Sequence, residues 1–197
     1  MRQCDPTTPA SSLEQSAIET RSETTVSAFR KLREALLANP FKDGRDNVPA
    51  AVVAVSGLFI GSYGAASNLE ALAETKITHI LCVAPSLPLK FPETFTYLQL
   101  KVADRPSVTI SAFFDRAFDF IDSALSLRGK VLVHCFMGRS RSATIILAFL
   151  ITRHGYTLSD ALCALRRTRP QAQPNSGFYR ELIALEAKQK QLREQGA

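Results

Sequence analysis

The sequence predicts an α/β fold, a central mixed sheet flanked by helices on both faces. Short apolar runs alternate along the chain with segments whose apolar residues recur at helical spacing. One of those runs ends in a Gly-containing loop that opens straight into a helical pattern, the arrangement by which α/β sheets present a site at a strand's carboxyl end. The chain has 197 residues, 46% of them apolar and 21% charged, which is enough for one good core plus tails and too little for a second folded domain.

Residues 1–24 are rich in Ser, Thr, Pro and Glu without apolar period, and are expected to be a disordered tail. Over residues 25–38, Val26, Phe29, Leu32, Leu36 and Leu37 repeat at helical spacing among Arg30, Lys31 and Arg33, which predicts a basic amphipathic helix. Such a helix either packs on the domain or docks a kinase, calmodulin or a membrane surface. Asn39-Pro40 and the stretch from Gly44 to Pro49 read as linker, so residues 25–49 form helix plus linker ahead of a domain over 50–187. Residues 188–197 extend the last helix or form a tail.

Strands are expected at 51–55, 58–60, 77–83, 96–102 and 130–134. Helices are expected at 66–75, 110–127, 141–154, 158–168 and 176–193. In the second of these, Ile110, Phe113, Phe114, Ala117, Phe118, Ile121, Ala124 and Leu125 share one face, which leaves Asp115, Asp119 and Asp122 largely on the solvated side.

The junction between the last strand and the helix after it carries the chemistry. It reads His134-Cys135-Phe136-Met137-Gly138-Arg139-Ser140-Arg141-Ser142. A strand, a tight loop and a helix N-terminus aim several amide N–H groups and a positive helix end at one point, where an anion is stabilised. Arg141 adds a planar fork of donors that matches two phosphate oxygens. The same field favours the thiolate of Cys135, which is then a nucleophile. Gly138 lets the loop turn without a Cβ in the way, and the Ser142 hydroxyl can donate to the sulfur. Phe136, Met137, Gly138, Arg139, Ser140 and Arg141 are therefore the expected phosphate-binding loop.

These residues resemble the signature of the dual-specificity branch of the cysteine-dependent protein tyrosine phosphatases. Further blocks resemble that branch in the right order: Gly57-Leu58-Phe59-Ile60-Gly61-Ser62, Ala65-Ala66-Ser67-Asn68, Ile77-Thr78-His79-Ile80-Leu81, Arg169-Pro170 and Pro174-Asn175-Ser176-Gly177-Phe178. The resemblance covers roughly residues 50 to 187 and points to a small, atypical member, since there is no room for the N-terminal domain by which typical MAP kinase phosphatases hold their kinase. It implies a protein tyrosine phosphatase-like fold. It also implies a phosphocysteine mechanism acting on phosphotyrosine, phosphoserine and phosphothreonine, with MAP kinases or other signalling phosphoproteins as substrates. His134 is implied to orient the loop and tune Cys135, and Ser142 to help the sulfur leave. Asn175 is expected among the supporting residues.

Phosphoester hydrolysis needs an acid for the leaving oxygen and a base for water. Asp104 follows the strand-like stretch from Tyr97 to Val102 in a loop, where catalytic groups are commonly presented. The resemblance places the family's acid in this segment, with Asp104 as the match.

Other classes are disfavoured. His79, His134 and His154 are scattered, and Cys4, Cys82, Cys135 and Cys163 show no paired zinc spacing and no disulfide framework, so neither metal nor cofactor is expected. No apolar run is long enough to span a bilayer and the N-terminus lacks a signal-peptide core, so a cytoplasmic protein that is not an integral membrane protein is expected, nuclear entry remaining open. The net charge of +6 favours acidic, phosphorylated partners. Arg105, Arg139, Arg141 and the run Arg166-Arg167-x-Arg169 lack the interleaved aromatics of a nucleic-acid surface. Two alternatives stay open. Arg139 stands where protein phosphatases often carry an apolar residue and resembles enzymes that act on phosphoinositides and other phospholipids, and a non-catalytic phosphoprotein-binding module would use the same loop. Cys82, near the end of its strand, reads as an ordinary buried thiol or, by the resemblance, as a partner for an oxidised Cys135.

Overall fold

In the computed structural model of the protein, which describes residues 46–195, five apolar runs form one sheet. They are β1 (Ala50–Ala51), β2 (Leu58–Gly61), β3 (His79–Val83), β4 (Thr96–Leu100) and β5 (Val131–His134), in the spatial order β1-β2-β5-β3-β4. β1 pairs antiparallel with β2, whereas β2, β5, β3 and β4 are parallel. The sheet is therefore mixed, as expected. β5 lies in its middle with all four residues buried, which is why it reads as an unbroken apolar run without alternation.

The pleat sends neighbouring β5 residues to opposite faces. Val131 and Val133 join Leu58, Ile60, Leu81 and Val83 in the larger core, under α3 (Phe114–Ser126), α4 (Arg141–His154), α5 (Leu158–Arg166) and α6 (Ser176–Gln195). Leu132 joins Ile80 in a smaller core on the other face, under α1 (Tyr63–Ala66), α2 (Leu69–Glu74), Phe91 and Phe95. α4 is buried at every position from Ser142 to Ile151. It is the central helix of the large layer, and it ends at Gly155 with φ +73°, a left-handed cap that favours glycine.

The chain divides by its internal contacts into two units, Met1–Pro40 and Phe41–Ala197. The expected tail and the basic helix at 25–38, with its docking role, lie outside the described residues.

Three elements differ from the expectations. The strand at 51–55 is two residues long, because Val52 N–H bonds to the Leu58 carbonyl and Val55 N–H to the Val52 carbonyl in a tight reversal that closes at Gly57, φ +84°. The helix expected at 66–75 runs over Leu69–Glu74, and a separate short helix, Tyr63–Ala66, precedes it where none was expected. Asn68 sets the start of the second by capping it, its side-chain oxygen accepting from Ala71 N–H at 3.1 Å, the local competition with backbone bonding that suits Asn to helix starts. The helix at 110–127 begins as a 3₁₀ turn, Ser111–Phe113, and becomes α-helical at Phe114.

Helix starts are satisfied from a distance. The Glu181 carboxylate on α6 accepts from Ile110 N–H at 3.1 Å and Ser111 N–H at 2.9 Å, and Glu186 accepts from Leu158 N–H at 2.8 Å. A negative group on two otherwise unfilled amides stabilises the turn through hydrogen bonds and the helix dipole together. Glu181→Ala is expected to cost about 1–2 kcal/mol, seen as a lower urea midpoint with an unchanged m-value.

Candidate active site

The loop that follows β5 turns its amides inward by having its carbonyls held from outside. The Phe136 carbonyl accepts from Tyr63 N–H at 3.0 Å and the Arg139 carbonyl from Gln173 N–H at 2.8 Å. Arg169, which is 3% exposed, donates through Nε to the Gly138 carbonyl at 3.1 Å and through Nη2 to the Met137 carbonyl at 2.8 Å. The Ser140 carbonyl accepts from Thr144 N–H and Oγ1, both at 2.8 Å. Gly138 has φ +65°, and a Cβ there would lie 2.5 Å from the Gly61 carbonyl oxygen. Only glycine fits this turn against the end of β2.

Cys135 is buried inside this turn. Its Sγ accepts from Gly138 N–H at 3.2 Å and lies 3.3 Å from Ser142 Oγ, and it faces the N-terminus of α4. Ser140 is the N-cap of that helix, but its hydroxyl makes no bond to the helix amides; it donates instead to Asp104 Oδ1 at 2.7 Å. The first amides of α4 are thus left for an anion.

Arg141 lies along the cleft wall with 11% of its side chain exposed. Nη1 donates to the Val102 carbonyl at 3.3 Å. Nε is buried without a hydrogen-bond partner and is 3.6 Å from Asp104 Oδ2, which is a charge contact and too long for a hydrogen bond. Asn175 Nδ2 also donates to Asp104 Oδ1, at 2.8 Å, while its own Oδ1 accepts from Gly177 and Phe178 N–H at 3.0 Å, capping α6. These groups enclose a cleft of about 230 Å³ lined by Asp104, Cys135, Met137, Arg139, Ser140, Arg141 and Gln173.

The profile described as the dual specificity phosphatase catalytic domain matches residues 58–188. The chain belongs to the dual-specificity phosphatase family. It is 41% identical to dual specificity protein phosphatase 1 of Arabidopsis thaliana over 182 residues, 92% of this chain and 90% of that protein. It is 45% identical to dual specificity protein phosphatase 1B of the same plant over 130 residues, 66% of this chain and 78% of that one. Among solved structures, DUSP15 covers 76% of this chain and 94% of its own with a TM-score of 0.69 and 38% identity.

Within this dual-specificity phosphatase, the residues expected at the site are brought together in part. Cys135 contacts Ser142, while Asp104, Ser140, Asn175 and Arg141 form a second bonded set, and Cys135, Asp104, Ser140 and Arg141 line one cleft. Phe136 and Met137 are 40% and 41% exposed and form the outer turn of the loop. Arg139 is held beside the cleft by the Gln171 carbonyl at 3.4 Å and Gln173 Oε1 at 3.2 Å. Asp119 and Asp122 pair with Arg153 on the surface, as their helical phase predicts. No site role was expected of Arg169. In the sequence it stands only in a basic run and in the family-like block Arg169-Pro170, yet its guanidinium is buried under the loop. Asp46, Gln173 and the Ser140 hydroxyl also escape a reading of the sequence, because each acts through a partner distant in the chain.

His134 is buried behind the loop, with Nδ1 3.3 Å from the Cys135 carbonyl. Burial pulls its pKa down to about 4, opposed by the Cys135 carbonyl and aided by Arg141, so the ring is neutral at pH 7. Cys82, on β3 opposite His134, is pushed up to about 11, first by burial and then by the neighbouring Cys135, and stays a thiol. A histidine that titrates near 6.5 when unfolded and near 4 when folded takes up a proton on unfolding between those values. Its contribution is complete above pH 6.5 and is lost as the pH falls toward 4. The melting temperature should accordingly drop across that window, and His134→Asn should flatten the slope; parallel slopes for the two proteins would assign the loss to carboxylates instead.

Proposed function

We propose that Cys135 is the nucleophile and Asp104 the acid and base with which this dual-specificity protein phosphatase hydrolyses phosphotyrosine, phosphoserine and phosphothreonine in phosphoproteins. The observation that carries the reading is a buried sulfur held by the Gly138 amide and the Ser142 hydroxyl, in one cleft with Arg141, whose Nε is unfilled, and with the Asp104 carboxylate.

The Cys135 thiolate attacks phosphorus while the loop amides and Arg141 bind the three equatorial oxygens, whose charge they match best in the transition state. Asp104 gives its proton to the departing side-chain oxygen. Ser140 and Asn175 occupy Oδ1, so Oδ2, on the Arg141 side, carries that proton. A phosphocysteine and the free protein hydroxyl result. Water then attacks phosphorus and passes its proton to Asp104, and the sulfur leaves as a thiolate that accepts from Ser142, releasing inorganic phosphate. His134, neutral and buried, orients the start of the loop and takes no proton. The loop amides, the helix N-terminus and Arg141 supply the positive field.

Substrate breadth follows from the shape. The cleft is small, with Met137 and Arg139 at its lining, and a shallow site admits short phosphoserine and phosphothreonine side chains as well as phosphotyrosine. Docking of a kinase or calmodulin through residues 25–38 is a further proposal, supported by the basic amphipathic pattern, and so is a cytoplasmic place of action, supported by cysteines that form no disulfide framework. Among the described residues no helix is long and apolar enough to cross a membrane.

Cys135→Ser is expected to abolish turnover of phosphopeptides and aryl phosphates alike; residual wild-type-like hydrolysis refutes the covalent route. Asp104→Ala should lower kcat on phosphopeptides by roughly 10²- to 10⁴-fold and by less on aryl phosphates whose leaving oxygen needs no proton. Equal losses on both substrates would remove Asp104 as the acid. A kcat/KM on phosphoinositides at or above that on phosphopeptides would move the reading to lipid substrates.

A further inference from the structure

Asp46 lies ahead of β1, far in the chain from the loop residues 135–141, yet a single buried side chain ties it to them. The three guanidinium nitrogens of Arg169 go three ways: Nε to the Gly138 carbonyl at 3.1 Å, Nη2 to the Met137 carbonyl at 2.8 Å, and Nη1 to Asp46 Oδ1 at 2.7 Å. The same Asp46 oxygen accepts from Gln171 Nε2 at 3.0 Å. Arg169 has 4% of its side chain exposed and Asp46 25%, so the cation is inside and its counterion sits at the boundary.

Asp46 is itself fastened. Its backbone carbonyl accepts from Ser62 Oγ at 2.6 Å, and the Asn47 carbonyl from Asn68 Nδ2 at 3.0 Å. Ser62 and Asn68 are the N-caps of α1 and α2, so the two polar residues that start the short helices also pin this segment.

We propose that Asp46 is a positioning residue for phosphate binding: by fixing Arg169 it keeps the Met137 and Gly138 carbonyls turned outward, and so keeps the loop amides aimed at the phosphate. This inference rests on the phosphatase reading and adds a residue that touches neither substrate nor nucleophile. Two effects of opposite sign meet at Asp46. Its charge cancels part of the Arg169 cation, and removing it would on that ground alone tighten anion binding. Its grip on Arg169 holds the loop geometry, and removing it would weaken binding. The second is the larger, since the phosphate is held by several short bonds that weaken steeply on misalignment, while the charge of Asp46 is partly screened by solvent.

The test uses the full chain with Asp46→Ala and Asp46→Asn, the second keeping an acceptor oxygen without the charge. Inorganic phosphate affinity is measured by calorimetry and as a competitive Ki against p-nitrophenyl phosphate, with kcat and KM followed across pH. Asp46→Ala should raise the phosphate Kd, the Ki and KM together by roughly tenfold, as the loss of about one loop hydrogen bond would. kcat should change less and its pH profile keep its shape, while Asp46→Asn should stay within about twofold of the parent, on the order of a few tenths of a hydrogen bond's worth. Three results would each overturn the proposal: an Asp46→Ala protein with lower melting temperature but unchanged phosphate affinity, tighter phosphate binding in Asp46→Ala, or Asp46→Asn as impaired as Asp46→Ala. Should Asp46→Ala fail to fold, Asp46→Ser is measured in its place with the same expected direction. Absent turnover in the parent chain would instead overturn the phosphatase reading, and calorimetry would still decide the role of Asp46.

Discussion

A loop can offer its N–H groups to an anion only if the carbonyls that alternate with them are satisfied elsewhere. Here each carbonyl from Phe136 to Ser140 has a donor behind the loop: the Tyr63 amide, two nitrogens of Arg169, the Gln173 amide and Thr144. That outward satisfaction is the constraint around which the rest of the large unit is arranged. It requires β2 to end against Gly138, the segment after α5 to return under the loop with Arg169 and Gln173, and α4 to begin where the loop ends. A phosphate site of this kind costs its backbone little strain beyond one left-handed glycine, since every orphaned group has an assigned partner.

The same residues also hold Asp104. Ser140 gives up the usual capping role at the start of α4 and spends its hydroxyl on Asp104, while accepting from Asn175 N–H at 3.1 Å. Asn175 caps α6 and holds Asp104 with its amide nitrogen. The loop that carries Asp104 is seated from below as well, because a Cβ on Gly177 would run into the Pro106 backbone. Asp104 is therefore positioned by the starts of two helices whose bodies are anchored in the main core, and it does not depend on its own loop for rigidity.

Much of the fold could be read from residue patterns. α4 keeps its predicted limits because an apolar run of that length after a strand has one burial solution, and the apolar face of α3 follows from its 3.6-residue period. The strand, turn and helix start from Val131 to Ser142 were legible because they are contiguous local structures. Where short-range signals competed, the patterns misled: Asn68 starts the expected helix later than the apolar spacing placed it, and the reversal at residues 52–57 shortened a strand whose Val52 and Val55 point into the core as a turn while Val53 is exposed.

Cys135, Gly138, Arg141 and Ser142 declare themselves along the chain because a strand, a turn and a helix start are local structures, set by neighbours within a few residues. Arg169 and Asp46 do not. An arginine in a basic run and an aspartate in a polar stretch are surface residues by every local criterion. Only the packing of α5, the return loop and the segment before β1 against the back of the phosphate loop makes one a buried strut and the other its counterion. Such pairings depend on contacts between residues more than a hundred positions apart, and a linear pattern carries no information about which distant charge will meet which backbone carbonyl.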